Sequence, residues 1–494
     1  MIDSILGLRP LYTQAGTTSS AYPLLVGTVL FTLVLHAWER YLDWRQHKRI
    51  EARGLLIPSE LTSLVEQIKP SGEAAQETKD PDEETTEGAK DEASTPAALL
   101  AKLREKAPAT QAYNLDKSRF KFYSSTFSLV KGLAFICLGA MPLFWDTADG
   151  LGARIFPGPP GDREITTSII FYGIWEVVEL VLGLPLGLYS TFVIEARHGF
   201  NKQTLGLYVS DLVKTLALTA VLGSPCLAAF LKVVAYAGPQ NLALYVWAFF
   251  FCFSLTFITI YPVVIQPLFN KYEPLEPGAL RTAIEALASS VSYPLYKLYT
   301  VDGSKRSGHS NAYMYGFFKS KRIVLFDTLL KQMTTEEIVG VLAHELGHWA
   351  HGHVLFSFCF SQAYIFVAFS FFARAMGSAD IYTAFGFAAT AGASDTAGAP
   401  AMVGVLLFFM VLWEPVDHVL SFLMTWNSRR MEFQADKYAT DLRYAAPLQR
   451  GLVKITFENL GVLDPDPLFS TYHHSHPPLI QRLRAIEAAD KKMQ

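Results

Sequence analysis

The chain has 494 residues, of which 51% are hydrophobic and 18% are charged. Soluble globular chains carry about 25% charged residues, and several apolar runs here reach the roughly 20 residues that cross a bilayer, so an ordinary soluble protein is excluded. We predict an all-α polytopic membrane protein. The net charge of −3 indicates little about partners, and the four cysteines lie apart within apolar runs, so no disulfide framework or cysteine metal site is expected.

Apolar runs predict seven transmembrane helices, at about 22–38, 124–145, 168–193, 211–236, 241–264, 354–376 and 400–424. The first run follows no positively charged segment and precedes no small-residue cleavage site, so we interpret it as a retained span. Two spans contain ionisable residues, namely Glu176 and Glu179 in one and Glu414, Asp417 and His418 in the other. Because such groups normally face a polar interior, we expect a chamber between the helices.

Residues 68–112 differ in character from the apolar runs. In KPSGEAAQETKDPDEETTEGAKDEASTPAA, carboxylates outnumber lysines, and aromatic and β-branched aliphatic residues are absent. Such a segment cannot bury enough apolar surface to offset its chain entropy, so we predict a disordered insert that is a solvated linker or an acidic docking tail.

Five regions follow from this pattern. They are the first span with its loop (1–121), spans two to five (122–264), a segment that ends in the HELGH helix (265–353), spans six and seven (354–424), and a C-terminal segment (425–494).

Lysine and arginine residues are concentrated on one side of the predicted spans. They are frequent in 39–53, 194–207, 265–335 and the tail from residue 425, whereas 237–240 and 377–399 carry none. Basic loops stay in the cytosol by the positive-inside rule. With seven spans the N-terminus is then lumenal, and both 265–353 and the tail are cytosolic and can meet.

The sequence VLAHELGHWAHGH contains His344 and His348 four residues apart, with Glu345 beside the first. On a helix these histidines share one face and can bind one Zn²⁺, and the glutamate can act as general base toward the water that the metal activates. Thr334 and Glu337 predict a capping box at the start of this helix. Buried core histidines would give the same five residues, so other parts of the chain must decide.

A third ligand is needed. The metzincin pattern requires a glycine and a histidine where this chain has His351 and Val354, so a distant carboxylate is predicted instead. Glu432 in NSRRMEFQADKYA offers one, and Asp436, one turn later, can accept the second N–H of a ligand histidine. We interpret His351 and His353 as supporting or surface residues. A surface helix with charges four residues apart would suit Glu432 and Asp436 equally well.

The tail TYHHSHPPLIQRL offers groups that can stabilise an oxyanion. His476 precedes Pro477 and Pro478 and is one candidate. Arg482 could serve the same purpose or orient Glu432. The three histidines of this stretch could otherwise form a polar loop or a weak second metal site.

Several idiosyncratic segments carry a resemblance to a known family. They are VIEARHGFNKQT (193–204), YPVVIQPLFNKYEPL (261–275), GSKRSGHSNAYMYGF (303–317), HELGHW (344–349), SRRMEFQAD (428–436) and SHPPLIQRL (475–483). On these segments the chain resembles the type I CAAX prenyl proteases, integral-membrane zinc enzymes that process farnesylated a-factor and prelamin A. The resemblance implies seven helices around an enclosed chamber, with the zinc site on the cytosolic side.

The resemblance also implies roles for individual residues. One Zn²⁺ per chain would be held by His344, His348 and Glu432, with Glu345 as general base. The reaction would remove the three residues after a prenylated cysteine, and some members make a second cut near the substrate's N-terminus.

Three further roles follow from the same resemblance. Asn311 in HSNAY would hydrogen-bond the substrate backbone, and His476 would stabilise the oxyanion or donate a proton. Arg482 would be a structural or substrate-contacting arginine near the site.

The expected partners are prenylated CaaX-terminated proteins or peptides and the lipid bilayer, with no nucleic acid. The end of the chain, Lys491-Lys492-Met493-Gln494, resembles a di-lysine retrieval signal. We therefore expect a multi-pass protein of the endoplasmic reticulum membrane, with the inner nuclear membrane as an additional location and the active site on the cytosolic side. Two alternatives are a membrane quality-control zinc metallopeptidase of broad specificity and a non-enzymatic membrane scaffold or transporter.

Overall fold

The computed structural model describes residues 21–70, 90–316, 320–387 and 400–494. Helices dominate the first half of the chain. They are α1 (Ala21–Arg53), α2 (Ser59–Glu66), α3 (Pro96–Cys137), α4 (Ala140–Ile155), α5 (Glu164–Tyr189), α6 (Leu205–Leu218) and α7 (Ser224–Ile260). The second half adds α8 (Ala279–Ser290), α9 (Asp327–Gln332), α10 (Thr335–Ala350), α11 (His353–Ala375), α12 (Ala379–Ala384), α13 (Ala401–Leu407), α14 (Glu414–Asp441), α15 (Ala445–Glu458), α16 (Pro467–His473) and α17 (Leu479–Lys491).

Within the described residues, five helical stretches are long and apolar enough to cross a membrane. They are Tyr22–Arg53, Pro160–Glu195, Leu205–Leu268, His353–Ala375 and Ala401–Asp441. A sixth candidate is the pair α3 and α4, which is bent by 64°. The predicted run at 124–145 straddles this bend, where Gly139 has a φ of 69°. The protein is thus a helical membrane protein with five to six candidate spans in the described part of the chain. Seven were predicted, but the runs at 211–236 and 241–264 join in Leu205–Leu268, and the run at 124–145 is divided by the bend.

The segment between α7 and α10 contains a four-stranded sheet, so the all-α prediction is wrong here. The strands are β1 (Tyr272–Pro274), β2 (Leu295–Val301), β3 (Ala312–Tyr315) and β4 (Lys321–Phe326), in the order β1-β2-β4-β3. β2 and β4 are parallel, and the other two pairs are antiparallel. None of these strands is longer than seven residues, so they lie well below membrane-spanning length, and they gain stability only by pairing with one another.

The disorder predicted for 68–112 is wrong for its C-terminal part. Thr95 caps α3, its Oγ1 accepting a hydrogen bond from the Ala98 amide, and the helix continues through residue 112. Leu99, Leu100 and Leu103 are buried in the core that α2 also joins. These leucines lie on one helical face, and their burial supplies the apolar area that the acidic residues before them lack. Residues 71–89 of the predicted insert lie outside the described residues.

One hydrophobic core joins the sheet to α10, α14, α15 and α17. Its buried members include Leu325 of β4, Leu342 of α10, Leu448 of α15 and Leu483 of α17. A separate aromatic-rich core lies among the membrane helices. Helix α10 thus lies inside the non-membrane core, which fixes its orientation.

The predicted capping box at the start of α10 is confirmed. The Thr334 side chain accepts a hydrogen bond from the Glu337 amide, and the Glu337 carboxylate accepts one from the Thr334 amide. Two of the amide groups that a helix leaves unpaired at its N-terminus are thereby satisfied.

Candidate metal centre

Helices α10 and α14 cross at very short range. A Cβ atom on Gly347 would lie 2.8 Å from the Cα of Ala435, and one on Gly340 would lie 2.7 Å from the backbone nitrogen of Leu448 in α15. Both glycines therefore permit helix contacts that alanine would obstruct. The close crossing brings Glu432, on α14, over the histidine face of α10.

Three donor atoms converge where these helices cross. The Nε2 atoms of His344 and His348 are 3.2 Å apart, and they lie 3.5 Å and 3.3 Å from the two Glu432 carboxylate oxygens. Ligands about 2.0–2.1 Å from a tetrahedral zinc ion lie about 3.3 Å from one another. The spacing of the donor atoms therefore fits a single zinc ion. In the described part of the chain, no other group of three or more His, Cys, Asp or Glu has such spacing. The histidines of the tail therefore form no second metal site of this kind there.

The protonation pattern also calls for a cation. His344 Nδ1 lies 2.9 Å from an Asp436 oxygen and must donate to it, since a carboxylate only accepts. The Nε2 atom of a neutral His344 then carries a lone pair that faces the cluster. Glu432 Oε2 is buried without a hydrogen-bond partner among the described residues. Lone pairs this close repel one another unless a positive charge lies between them.

Asp436 is held in turn by Arg482. The guanidinium donates two hydrogen bonds to the Asp436 carboxylate, of 2.6 Å and 2.9 Å, and its Nη1 lies 3.5 Å from Glu432 Oε2. Burial acts to lower the pKa of Arg482, but the charge of Asp436 and its hydrogen bonds prevail and raise that pKa. The structure therefore places Asp436 and Arg482 directly behind the three donor atoms.

His348 is also influenced by Glu432. Burial acts to lower the pKa of His348, yet the hydrogen bond and charge of Glu432 outweigh it and raise the pKa above its ordinary value. A ligand imidazole must be neutral, so metal binding at His348 competes with protonation of its ring.

The remaining predicted site residues differ in their distance from the donor atoms. His476 is two-thirds exposed, and its Nε2 lies 3.3 Å from Glu432 Oε1 on the open side of the cluster. Glu345 is partly buried on α10, next to His344, and its charge acts on His348 and Arg482. Asn311 is exposed at the start of β3, where its Oδ1 accepts from the Ala312 amide at 2.8 Å. Among the described residues it makes no hydrogen bond to the cluster.

Two neighbours of His348 had no defined role in the sequence interpretation. His353 Nδ1 lies 2.9 Å from His348 Nδ1, and His353 Nε2 lies 3.0 Å from Gln434 Oε1. The sequence left His353 as a supporting or surface residue and gave Gln434 no role. The signal that could have pointed to Gln434 was its place on the helix of the third donor, where an uncharged polar side chain stands two positions after Glu432.

Comparisons with known proteins identify the family of the chain. Residues 88–271 match a family model described as the CAAX prenyl protease N-terminal region with five membrane helices, and residues 274–490 match peptidase family M48. The "CAAX prenyl protease 1 homolog" of Oryza sativa subsp. japonica is 41% identical, over 96% of this chain and 99% of that protein. The human protein of the same name is 35% identical, over 93% and 94%.

A solved structure is similar over nearly the whole chain. The crystal structure of S. mikatae Ste24p superposes with a TM-score of 0.78 at 34% identity, covering 94% of this chain and 99% of that one. The chain belongs to the CAAX prenyl proteases of peptidase family M48. As a family member it is a metalloendopeptidase with membrane helices, and membership implies a metal, typically zinc.

Proposed function

We propose that this CAAX prenyl protease removes the three residues that follow a prenylated cysteine, with one zinc ion held by His344, His348 and Glu432. The observation that carries the proposal is the convergence of three donor atoms within 4.8 Å of one another. Glu345 follows the first histidine directly and is free of the ligand role. The curated relatives of rice, human and yeast, all named CAAX prenyl protease 1 or its homologue, support the substrate class.

Four residues of the chain would assist the metal in the reaction. A bound zinc ion supplies a lowered water pKa and polarises the peptide carbonyl. Glu345 takes the proton from the attacking water and delivers it to the leaving amine. His476, exposed beside Glu432, donates a hydrogen bond to the oxyanion as it forms. Arg482 fixes Asp436, which keeps His344 in the tautomer that presents Nε2 to the metal.

We propose substrate binding along β3. Among the described residues it is an edge strand of the sheet, and an edge strand can pair with an extended peptide through its outer side. Asn311 immediately precedes it and offers an exposed amide. This arrangement supports the predicted contact between Asn311 and the substrate backbone.

We propose that the chain crosses the membrane seven times around a chamber. Leu205–Leu268 has 64 residues, about 96 Å of helix, whereas a bilayer core is about 30 Å thick. Gly238 interrupts it with φ 61° and ψ 168°, so we assign two crossings. Polar groups within the spans pair between helices, as Tyr364 does with Asp417 at 2.9 Å and Lys131 with Glu179. This pairing supports a polar interior.

A cytosolic site is supported by contacts among the basic segments. Arg45, after the first span, pairs with Asp466 of the tail, and Arg306 pairs with Asp211. The Lys202 amide bonds the carbonyl of Arg306. Segments that the charge pattern assigned to the cytosol therefore contact one another, 39–53 with the tail and 194–207 with 265–335. We propose the endoplasmic reticulum membrane as its location, as membership of the CAAX prenyl protease family implies.

A choice of substrates tests this function. The purified protein should cleave a farnesylated CaaX peptide and leave both the unprenylated peptide and an unfolded soluble protein intact. Cleavage of the unfolded protein without cleavage of the farnesylated peptide would favour a quality-control peptidase. A scaffold or transporter would cleave neither, but intact His344, Glu345, His348 and Glu432 argue against it.

A further inference from the structure

A short chain of polar side chains lies behind His348, away from Glu432. His348 Nδ1 is 2.9 Å from His353 Nδ1, and His353 Nε2 is 3.0 Å from Gln434 Oε1. His353 is only 6% exposed, so water cannot easily replace these contacts. Buried polar atoms need complementary partners, which makes the positions of the protons deducible.

The protons have only one satisfactory arrangement when His348 binds a metal. Its Nε2 faces the other donors, so the proton of the neutral ring lies on Nδ1. That N–H requires an acceptor, and therefore His353 Nδ1 must carry a lone pair. The proton of His353 then lies on Nε2 and is donated to Gln434 Oε1. The other tautomer of His353 would bring two N–H groups face to face.

The backbone brings these residues together from three helices. Gly352, between α10 and α11, has a φ of 66°, a left-handed conformation that glycine adopts without strain. A Cβ there would meet nothing within 4 Å, so conformation alone favours glycine. The turn places His353, the first residue of α11, behind His348. Gln434 comes from α14, the helix that carries Glu432.

We propose that His353 and Gln434 are positioning residues that hold His348 in the Nδ1–H tautomer and determine how tightly the metal is retained. The proposal rests on the zinc site proposed above. His344 is oriented by a charged pair, Asp436 with Arg482, whereas His348 is oriented by two neutral side chains. Loss of one such supporting partner typically weakens metal affinity 10–100-fold.

Zinc retention by full-length protein in detergent tests this. His353→Leu removes the acceptor of the His348 N–H. Gln434→Leu removes the group that accepts the His353 N–H, so His353 can adopt either tautomer. In His353→Gln the side-chain amide can still accept from His348 and donate to Gln434. The control is His351→Ala, because His351 is exposed and stacks on the face of the His353 ring and against Tyr438, away from the His348–His353–Gln434 hydrogen bonds. The zinc-to-protein ratio is measured by mass spectrometry against a graded chelator concentration. Thermal unfolding of the metal-free proteins reports on folding.

We expect His353→Leu to release zinc at a chelator concentration 10–100-fold lower than wild type, Gln434→Leu at an intermediate one, and His353→Gln and His351→Ala near wild type. Retention by His353→Leu equal to that of His351→Ala would overturn the proposal. Should His353→Leu fail to fold, equal retention by Gln434→Leu and His351→Ala would overturn it instead. Wild-type protein without zinc would contradict the proposed metal site rather than the role of His353.

Discussion

Two of the three donor residues are neighbours on one helix and the third is distant in sequence, so the evidence for each differs. His344 and His348 are one turn apart on a helix, so their spacing alone predicted a shared face. Glu432 lies more than 80 residues later, and only its carboxylate chemistry and the resemblance pointed to it. The structure brings its oxygens within 3.5 Å of both imidazoles. The site was therefore predictable in its ligand types, but its closeness depends on a helix crossing that no local pattern encodes.

Substitution of Glu432 tests the third ligand. Glu432→Ala should lose most of its zinc, because only two donor atoms remain and the buried pair Asp436–Arg482 cannot replace the lost carboxylate. Zinc content of the purified variant is measured by mass spectrometry. A variant with the zinc content of wild type would disprove the ligand assignment.

Substitution of Glu345 separates catalysis from metal binding. Glu345→Gln should retain zinc and lose about 10²–10⁴-fold in turnover, since a general base contributes that much. It is also the matched control for Glu432→Ala, because each removes one carboxylate near the cluster. Full activity of Glu345→Gln would reject the proposed proton transfer.

Secondary-structure elements were predicted unevenly. The start of α10 followed from Thr334 and Glu337, whose side chains and amides bond locally, so sequence alone sufficed. The sheet was missed because its strands are stable only in pairs that join residues far apart in sequence. The start of α3 was missed because its leucines follow a highly acidic stretch, and their burial depends on a core formed by distant helices.

The crossing of α10 and α14 yields a prediction for Gly347. Gly347→Ala should destabilise the protein by about 1–3 kcal/mol, because its Cβ would meet the Ala435 backbone. Gly132→Ala is the control: a Cβ there meets nothing within 4 Å, and alanine in a helix is favoured by about 0.5–1 kcal/mol. Thermal unfolding in detergent compares them. A Gly347→Ala protein as stable as Gly132→Ala would contradict the close crossing.

At the scale of the whole molecule, hydropathy located the membrane helices but not their bends. The 64° break between α3 and α4 falls within one predicted span. The charge pattern predicts the sidedness of the loops, and this stays a prediction that the next experiment tests.

Glycosylation tests the sidedness directly. The chain contains no Asn-X-Ser/Thr sequence, so an inserted acceptor site reports without background. An acceptor site inserted between residues 237 and 240 should be glycosylated, because that turn is predicted to be lumenal. An acceptor site added after Gln494 should remain unmodified. The reverse pattern in a gel-shift assay would place the metal site in the lumen.

The central claim is that three donors hold a zinc ion that drives cleavage of prenylated CaaX substrates. Mass spectrometry of a farnesylated CaaX peptide incubated with the purified protein tests it most directly. We predict a single product lacking the last three residues, absent after zinc chelation and restored by added Zn²⁺. A product cut elsewhere, or cleavage that persists undiminished with the chelator, would contradict the account.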